Sequence, residues 1–590
     1  MRKRLVIVGG IAGGASAAAK ARRTNEDIDI VMFEGGAYMS FANCGLPYYV
    51  GGEITSRDAL FVADPETFMR RFRVDVRLNT TVTEISPSTR EVTFVAPDGK
   101  QAKLAYDRLL LATGSVPLVP RVEGLDGPNI FYCRTVPDVD AIMERLNHIL
   151  PRESEGLNDT EEGQFVTGTD SGVRAVIIGG GYIGLECAEQ LVRRGIKVTV
   201  VELMDQLLGQ LDREVTLAIQ EALERAGCTV ILGDAVAQVE HTDGRATAFL
   251  QSGRHVKFDL AIVGVGVRPN VELATAAGVE LGKTGAIAVD HRQRTSDPTI
   301  YAAGDNCESI FLPTGEAVNI PLAGPANKQG RVAGNNAALD LKGADEEDPL
   351  RLRMGGVLGT SIVRVCGVVA GGTGLTEKSA RRAGINIAVG YNIGRHHARY
   401  YPDAQRMVLK LVYSPESGRV LGAQAVGREG VDKRLDVFAT AIQGGMTAED
   451  LEQLDLCYAP AFGAAKDVVM IAGFIASNAR RGTSPGVSPM TIFKELASET
   501  PPFLIDVRTQ REYKDGHLDA AVSIPLEDLR ERLDEIPRDR PVVVQCNVGY
   551  RSYIAQQILL QRGWKDVRNL YGGCRLASGI RARSKNSQPA

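Results

Sequence analysis

The chain has 590 residues, of which 44% are hydrophobic and 24% are charged, and its formal net charge is -4. A chain of this length and composition is expected to form about three to five globular domains. With neither a long Lys/Arg cluster nor an apolar run of about 18 residues, we expect no nucleic-acid partner and no membrane span.

The first residues enter an apolar strand directly, without the apolar stretch and cleavage site of a secretory signal, so we expect a cytoplasmic protein. The nine cysteines are scattered without close pairs. Disulfide frameworks and zinc sites both need short cysteine spacings. We therefore expect free thiols and no metal site.

A strand, a glycine turn, a helix and a second strand open the chain. The strands are predicted at Arg4–Val8 and Ile28–Glu34, with the helix at Ala15–Arg23. This order is typical of a dinucleotide-binding fold, in which a glycine turn presents backbone N–H groups to a pyrophosphate. Isoleucine replaces the central glycine of the motif. The candidate cofactor residues are Gly9, Ile11, Ala12, Gly14 and Glu34.

The same pattern recurs at residues 175–202. Strands are predicted at Ala175–Ile178 and Lys197–Glu202, with a helix ending at Arg194. An acidic residue about 20 positions after the turn accepts hydrogen bonds from ribose hydroxyls and repels a 2′-phosphate, so NADH is favoured over NADPH. The candidate residues are Gly179, Gly181, Gly184 and Glu202. Two such modules suggest two different dinucleotides.

The remaining segments differ in character. Residues 151–172 are polar and predict a flexible surface loop. Residues 350–467 predict an α+β domain with strands at Met407–Val412 and Val420–Ala425, and residues 480–486 predict a linker. About a hundred residues of small α/β module follow, with strands at Phe503–Val507 and Val542–Gln545.

Several turns between these modules resemble those of the two-dinucleotide flavin reductases. They are the segments 109–114, 263–270, 295–305 and 321–325. The resemblance implies FAD, with the aspartate of the third segment on the ribityl chain and a helix from the fourth aimed at the isoalloxazine. The implied cofactor residues are Thr113, Gly114, Gly266, Asp305 and Ala323.

Cys44 stands alone in the run Ser-Phe-Ala-Asn-Cys-Gly-Leu-Pro-Tyr, and the next cysteine is Cys133. This run resembles the active-site segment of the coenzyme A-disulfide reductases, including those with a C-terminal rhodanese domain, known as NADH-dependent persulfide reductases. The resemblance implies an FAD-bound homodimer with Cys44 as nucleophile beside the flavin. Gly45 and Pro47 predict a helix start, which would lower the pKa of the Cys44 thiol.

The resemblance also implies coenzyme A as substrate or cofactor. Lys20 and Arg23 lie one helical turn apart and could hold its phosphates. A basic contact of the family is replaced by Phe72, although arginines flank it. The implied coenzyme A residues are Ser16, Lys20, Arg23, Ser40, Asn43 and Lys466.

Two tyrosines match family tyrosines that reach across the dimer to the sulfur. They are Tyr458 and Tyr400, with Tyr401 left open as the alternative to Tyr400. A phenol near a departing thiolate could donate a proton.

Cys546 begins a strand–loop–helix segment in which Arg551 is the sixth residue, and this segment resembles rhodaneses. Successive backbone N–H groups in such a loop form an anion nest that stabilises a thiolate or persulfide. Arg551 could hold negative charge or fix the loop.

We therefore predict an α/β protein with two Rossmann-like domains, an α+β dimerisation domain and a rhodanese domain. The expected bounds are 1–116 and 269–330 for the FAD domain, 117–268 for the NADH domain, 331–480 for dimerisation and 487–590 for rhodanese. The expected activity is NADH-dependent reduction of persulfides, polysulfides or coenzyme A disulfides through Cys44, with sulfane sulfur handled at Cys546. Two alternatives stay open: a water-forming NADH oxidase or peroxidase whose cysteine cycles through sulfenic acid, and a sulfurtransferase on a redox-silent flavoprotein scaffold.

Overall fold

Residues 2–150, 167–242 and 244–586 are described by a computed structural model. They divide into two units, Met1–Asp205 with Gly227–Gly359, and Gln206–Ala226 with Thr360–Ala590. Most of the polar loop predicted at 151–172 lies outside the described residues.

Two five-stranded parallel sheets form the framework of the first unit. The first sheet has the spatial order Ile300–Ala302, Arg108–Leu111, Arg4–Val8, Asp29–Phe33 and Val74–Arg77. The second has the order Thr229–Leu232, Lys197–Glu202, Arg174–Ile178, Leu260–Val263 and Ile130–Tyr132. The first sheet is apolar on both faces: one face packs on the helices Ala12–Thr24 and Ala323–Lys342, and the other packs on antiparallel strands of residues 81–95. One face of the second sheet likewise packs on antiparallel strands, those of residues 236–250.

Smaller antiparallel sheets and the helices complete this unit. The antiparallel strands are Thr81–Ser86, Glu91–Val95 and Gln101–Ala105; Val236–Thr242, Arg245–Leu250 and His255–Phe258; Ser115–Pro117 with Val267–Pro269; and Ser309–Ile310 with Ala317–Val318. The α-helices are Ala12–Thr24, Leu46–Gly51, Pro65–Phe72, Val136–Ile149, Tyr182–Arg193, Glu272–Ala276 and Ala323–Lys342, with 3-10 turns at Asn43–Gly45 and Arg57–Leu60.

The second unit combines an antiparallel sheet with a C-terminal parallel sheet. The antiparallel order is Ser361–Val365, Val368–Gly374, Val420–Gly427, Arg406–Tyr413 and Ala388–Arg395, and the parallel order is Gly486–Val487, Val567–Leu570, Val542–Gln545, Phe503–Asp506 and Ala521–Ser523. The helices are Arg213–Arg225, Glu377–Arg382, Val431–Gln443, Ala448–Glu452, Val468–Arg480, Thr491–Leu496, Gln510–Lys514, Tyr550–Gln561 and Gly573–Asn586, with a 3-10 turn at Leu533–Glu535.

A buried charge network ties the helix Arg213–Arg225 to the antiparallel sheet. The Lys410 Nζ atom lies 2.9 Å from a carboxylate oxygen of Asp212, 3.1 Å from Glu214 and 2.7 Å from Glu377. Only 1% of Lys410 is exposed. A buried ammonium ion needs such partners because its hydration is lost.

The structure shifts several predicted element bounds by one or more residues, and two of these shifts change how a segment is described. The first helix begins at Ala12 rather than Ala15, because the end of the glycine turn already forms the first helical turn. Gly486, predicted in the linker, instead pairs with Asn569 in the C-terminal sheet. Across the described ranges, no helix combines the length and apolar composition needed to cross a membrane.

Candidate active site

The first glycine turn brings backbone N–H groups to the start of a long helix. Gly9 has a φ of +106°, and a Cβ there would lie 2.1 Å from the carbonyl oxygen of Ala112. Ile11 is the N-cap with a negative φ, so this position does not require glycine. The helix Ala12–Thr24 has no capping side chain and no acidic residue in its first turn. Its N–H groups suit a pyrophosphate.

Glu34 holds its carboxylate beside this turn. It accepts hydrogen bonds from the backbone N–H groups of Gly10 at 2.7 Å and Gly36 at 2.9 Å. A carboxylate fixed at the end of the second strand can accept hydrogen bonds from ribose hydroxyls.

The second turn repeats this geometry. Gly179 has a φ of +107°, and a Cβ there would lie 2.5 Å from the carbonyl oxygen of Gly264. Gly181 leaves open space, since the atom nearest to an added Cβ would be 3.9 Å away. The Glu202 carboxylate accepts a hydrogen bond from the Gly180 N–H at 2.6 Å. The internal repeat predicted from sequence is therefore also a repeat in three dimensions.

The remaining predicted flavin residues lie at the carboxyl edge of the first sheet and in its connections. The Asp305 carboxylate accepts a hydrogen bond from the Ser115 hydroxyl at 2.7 Å and lies 3.6 Å from Arg134. Thr113 accepts one from Asn306 at 3.1 Å. The other predicted flavin residues, Ala12, Gly14, Gly114 and Ala323, occupy turns or helix starts. The same is true of Gly184 in the second glycine turn and of Gly266, which is predicted at the exit from the NADH domain. Carboxylates that accept ribose or ribityl hydroxyls and uncapped helix starts that accept phosphate form a donor and acceptor set that fits FAD.

Cys44 lies in the 3-10 turn Asn43–Gly45, just before the helix Leu46–Gly51, so the predicted helix start is present. Its side chain keeps solvent access. Partial burial nevertheless raises the pKa of the Cys44 thiol, the charge of Glu186 raises it further, and Arg134 opposes both. The expected lowering of the Cys44 pKa is therefore not found in the protein alone.

Glu186 is a site residue that sequence reasoning missed. Burial raises its pKa to about 7, and a hydrogen bond from the Tyr48 hydroxyl at 3.2 Å opposes that rise. It lies two residues after Gly184, the last glycine of the second turn. That adjacency was its only signal, because no spacing rule links it to Cys44.

Arg134 also escaped the sequence analysis. With the Asn43 amide oriented to satisfy both neighbours, Asn43 donates to the Phe41 carbonyl and accepts from Arg134, each at 3.1 Å. Arg134 also contacts the Ser115 hydroxyl at 3.1 Å. The Arg134 guanidinium thus lies between the turn Asn43–Gly45, which carries Cys44, and Asp305, the aspartate predicted to bind the ribityl chain.

Lys20 and Arg23 form a basic cluster with a third cation, Arg331. Burial and then the positive charges of Arg331 and Arg23 lower the pKa of Lys20. The two helices that carry these residues approach closely, because a Cβ at Gly334 would lie 2.2 Å from the Ala17 carbonyl oxygen. Mutually repelling cations are stabilised by a bound polyanion. Arg331 was missed because it lies more than 300 residues away in sequence.

The other predicted coenzyme A residues, and Phe72 at the position of the missing basic contact, lie on several different elements and connecting segments. Ser16 donates a hydrogen bond to Asn327 at 2.5 Å. Ser40 has a φ of +47°, a strained conformation for a non-glycine residue. Phe72 packs on the apolar core beside the first sheet and offers no charge. Lys466 lies in the second unit.

Tyr400 and Tyr458 form a pair in the second unit. Their hydroxyl oxygens are 3.1 Å apart, and the hydrogen bond to Tyr458 raises the pKa of Tyr400. The exposed fractions are 75% for Tyr400 and 51% for Tyr458, values that leave both phenols open to a partner. Tyr401 instead packs edge-on against His397. The structure thus pairs Tyr400 with Tyr458.

Cys546 lies at the base of its loop and is 1% exposed. Its Sγ atom accepts hydrogen bonds from the Gly549 N–H at 3.1 Å and the Ser552 hydroxyl at 3.4 Å. Arg551 forms two 2.7 Å hydrogen bonds with Glu512, and this pairing holds the pKa of Glu512 at about 2. Arg551 therefore joins the helix Tyr550–Gln561 to the helix Gln510–Lys514, and Glu512 is its unpredicted partner.

Three family models match this chain. The pyridine nucleotide-disulphide oxidoreductase model matches residues 3–330, its dimerisation domain matches 360–468, and the rhodanese-like domain matches 490–576. The chain therefore belongs to the pyridine nucleotide-disulphide oxidoreductase family and carries a rhodanese-like domain. The predicted fold class is confirmed, whereas the expected domain bounds stay predictions.

Named relatives match either most of the chain or nearly all of it. The chain is 35% identical over 472 residues to the CoA-dependent NAD(P)H sulfur oxidoreductase of Pyrococcus abyssi, covering 80% of this chain and 97% of that protein. The structure of reduced CoADR-RHD from Bacillus anthracis matches with a TM-score of 0.90 and 36% identity, covering 99% of both chains. The NAD-dependent persulfide reductase from A. fulgidus matches with a TM-score of 0.85 and 36% identity, covering 97% of this chain and 99% of that one.

Proposed function

We propose that this protein is an NADH-dependent flavoprotein that reduces coenzyme A disulfides, coenzyme A persulfides or polysulfides. The observation that supports this best is the combination of one thiol, Cys44, with the cation cluster of Lys20, Arg23 and Arg331 in the same unit. A lone thiol must form its mixed disulfide with a substrate, and the cations suit the phosphates of coenzyme A.

The proposed reaction has two steps: Cys44 first reacts with the sulfur substrate, and the resulting mixed disulfide is then reduced to restore the Cys44 thiolate. The Cys44 thiolate attacks the inner sulfur of coenzyme A persulfide, forms a bond to that sulfur and releases hydrosulfide. Bound FAD would carry two electrons from NADH to the resulting mixed disulfide, which releases the coenzyme A thiolate and restores Cys44. Arg134 stabilises the anionic sulfur, because its charge lowers the pKa of Cys44.

The tyrosine pair belongs to the proton chemistry. We place Tyr400 and Tyr458 near the sulfur of the partner subunit's Cys44, as the family resemblance implies. A phenol there donates a proton or hydrogen bond to the departing thiolate. The dimerisation-domain match and the exposed aromatic side chains support a homodimer.

Cys546 handles sulfane sulfur in this proposal. Its sulfur accepts hydrogen bonds within the loop, an arrangement that stabilises a persulfide anion. The loop takes sulfur from an external donor and transfers it to a carrier thiol such as coenzyme A. The cytoplasm suits this chemistry, because all nine cysteines are free thiols.

A substrate panel tests the proposal. Yellow holoenzyme is assayed for NADH consumption and sulfide release with coenzyme A disulfide, coenzyme A persulfide and polysulfide. Cys44→Ser should abolish turnover, Cys546→Ser should reduce sulfur delivery only, and Cys228→Ala, at a buried cysteine with no assigned role, should behave as wild type. Near-normal turnover of Cys44→Ser would refute the mechanism.

Because a single redox cysteine also suits an NADH oxidase or peroxidase, that activity is the second candidate function. That reaction needs neither the cation cluster nor Cys546. It predicts oxygen consumption that matches NADH oxidation without any sulfur substrate, measured with an oxygen electrode.

A further inference from the structure

Arg434 joins two segments of the second unit from a buried position. It lies in the first turn of the helix Val431–Gln443 and is 2% exposed. Its guanidinium donates to the Asp467 carboxylate at 2.6 and 3.3 Å, and to the His396 carbonyl at 2.6 Å. One side chain therefore fixes the relative positions of His396 and Asp467.

His396 is the first residue of the loop that carries Tyr400. This loop connects the strands Ala388–Arg395 and Arg406–Tyr413. The His396 Nδ1 atom accepts a hydrogen bond from the Gln405 N–H at 3.0 Å, which closes the base of the loop. The position of His396 therefore sets where the loop projects.

Asp467 ends the segment that carries Tyr458 and caps the helix Val468–Arg480. The two segments also meet directly, because the Ala398 N–H donates to the Pro460 carbonyl at 3.3 Å. Both anchors of Arg434 thus lie at the bases of the two tyrosine segments.

We propose that the Arg434–Asp467 ion pair is the positioning device that keeps Tyr400 and Tyr458 within hydrogen-bond distance. Its catalytic consequence rests on the proposed function of the tyrosines. A buried ion pair often stabilises a fold no more than apolar side chains of the same volume would. The geometry that this forked side chain imposes on two loops is therefore its distinctive contribution.

The test replaces the forked guanidinium of Arg434 by a single ammonium group and so keeps the positive charge. Arg434→Lys should separate the tyrosines, so the raised pKa of Tyr400 should fall toward its ordinary value. Nuclear magnetic resonance of ring-labelled tyrosine, assigned with Tyr400→Phe, follows that titration in the holoenzyme. We expect kcat with coenzyme A disulfide to fall by about tenfold, since small misplacements of catalytic groups are costly, while KM for NADH stays unchanged.

A double-mutant cycle separates positioning from general destabilisation. In a Tyr458→Phe background, Arg434→Lys should lower kcat by less than twofold, because the pair that it positions is already lost. Arg351→Lys is the matched control, since Arg351 forms an equally buried 2.8 Å pair with Asp340 in the first unit. That variant should leave the Tyr400 titration and kcat unchanged.

Three results would overturn the inference: an unchanged Tyr400 titration in Arg434→Lys, an equal loss of kcat in both backgrounds, or the same losses in Arg351→Lys. If the proposed function of the tyrosines were wrong, the experiment would give a different result. Tyr458→Phe would then turn over normally, and the Tyr400 titration would still decide whether Arg434 positions the pair.

Discussion

At the scale of single residues, charges from distant parts of the sequence act on the Cys44 thiol. Cys44 and Glu186 are separated by 142 positions, yet the carboxylate of Glu186 opposes ionisation of Cys44. Because the pKa of Glu186 is about 7, this opposition changes within the neutral range. Protonation of Glu186 therefore couples to ionisation of Cys44.

Glu186→Gln should make Cys44 more reactive above neutral pH. At pH 8 the wild-type carboxylate is charged and raises the pKa of Cys44, so its removal should speed alkylation of Cys44 by about threefold. At pH 6 the carboxyl group is already neutral and the two proteins should react alike. Iodoacetamide labelling quantified by peptide mass spectrometry measures both rates, and Glu144→Gln, which removes an exposed carboxylate, is the control. Equal rates at pH 8 would contradict the coupling.

Glu202 should determine the choice between NADH and NADPH. Its carboxylate is held at the second turn by hydrogen bonds from the N–H groups of Gly180 at 2.6 Å and Met204 at 2.8 Å. Glu202→Ala removes the ribose acceptor and the repulsion of a 2′-phosphate, so the ratio of kcat/KM for NADH over NADPH should fall by about tenfold or more. Steady-state kinetics with both nucleotides measures this ratio. If the ratio stays constant, another group selects the nucleotide.

At the scale of elements, the sequence predicts local patterns better than distant partners. The strand Arg4–Val8 and the Cys546 loop can be predicted because the succession of strand, turn and helix depends on neighbouring residues in the sequence. Arg331 and Glu512 were not found, because each acquires its role from a residue on another element. Ile11 shows the opposite case, since a motif that looked imperfect is sterically acceptable at a cap position with negative φ.

The Lys410 network makes an element-scale prediction about stability. Lys410→Met leaves three buried or partly buried carboxylates without their ammonium partner and should destabilise the second unit by about 3–5 kcal/mol. Arg381→Met is the control, because Arg381 pairs with the same Glu377 at the surface, where about 0–1 kcal/mol is expected. Thermal unfolding followed by calorimetry compares the two variants. Equal shifts would mean that burial does not govern this network.

At the scale of the whole molecule, each of the two compact units contains one of the two cysteines that we propose to be reactive. Cys44 belongs to the first unit and Cys546 to the second, and a carrier thiol is required between them in the proposed reaction. Local motifs in the sequence are the basis for predicting both sulfur sites. That Tyr400 and Tyr458 serve the partner's Cys44 is an expectation from the family resemblance alone, because the combination of chains in one site depends on assembly rather than on any local pattern.

Mixed dimers test the proposed sharing of the reductase site. A Cys44→Ser chain keeps its tyrosines, and a Tyr458→Phe chain keeps its thiol, so each homodimer should turn over poorly. If the tyrosines serve the partner's Cys44, one of the two sites in each mixed dimer is complete, and random reassembly of equal amounts should restore about one quarter of wild-type activity. If each site used residues of one chain only, no mixed dimer would contain a complete site, and activity would not exceed the average of the two variants. NADH consumption with coenzyme A disulfide after reassembly, with each variant reassembled alone as the control, distinguishes the two arrangements.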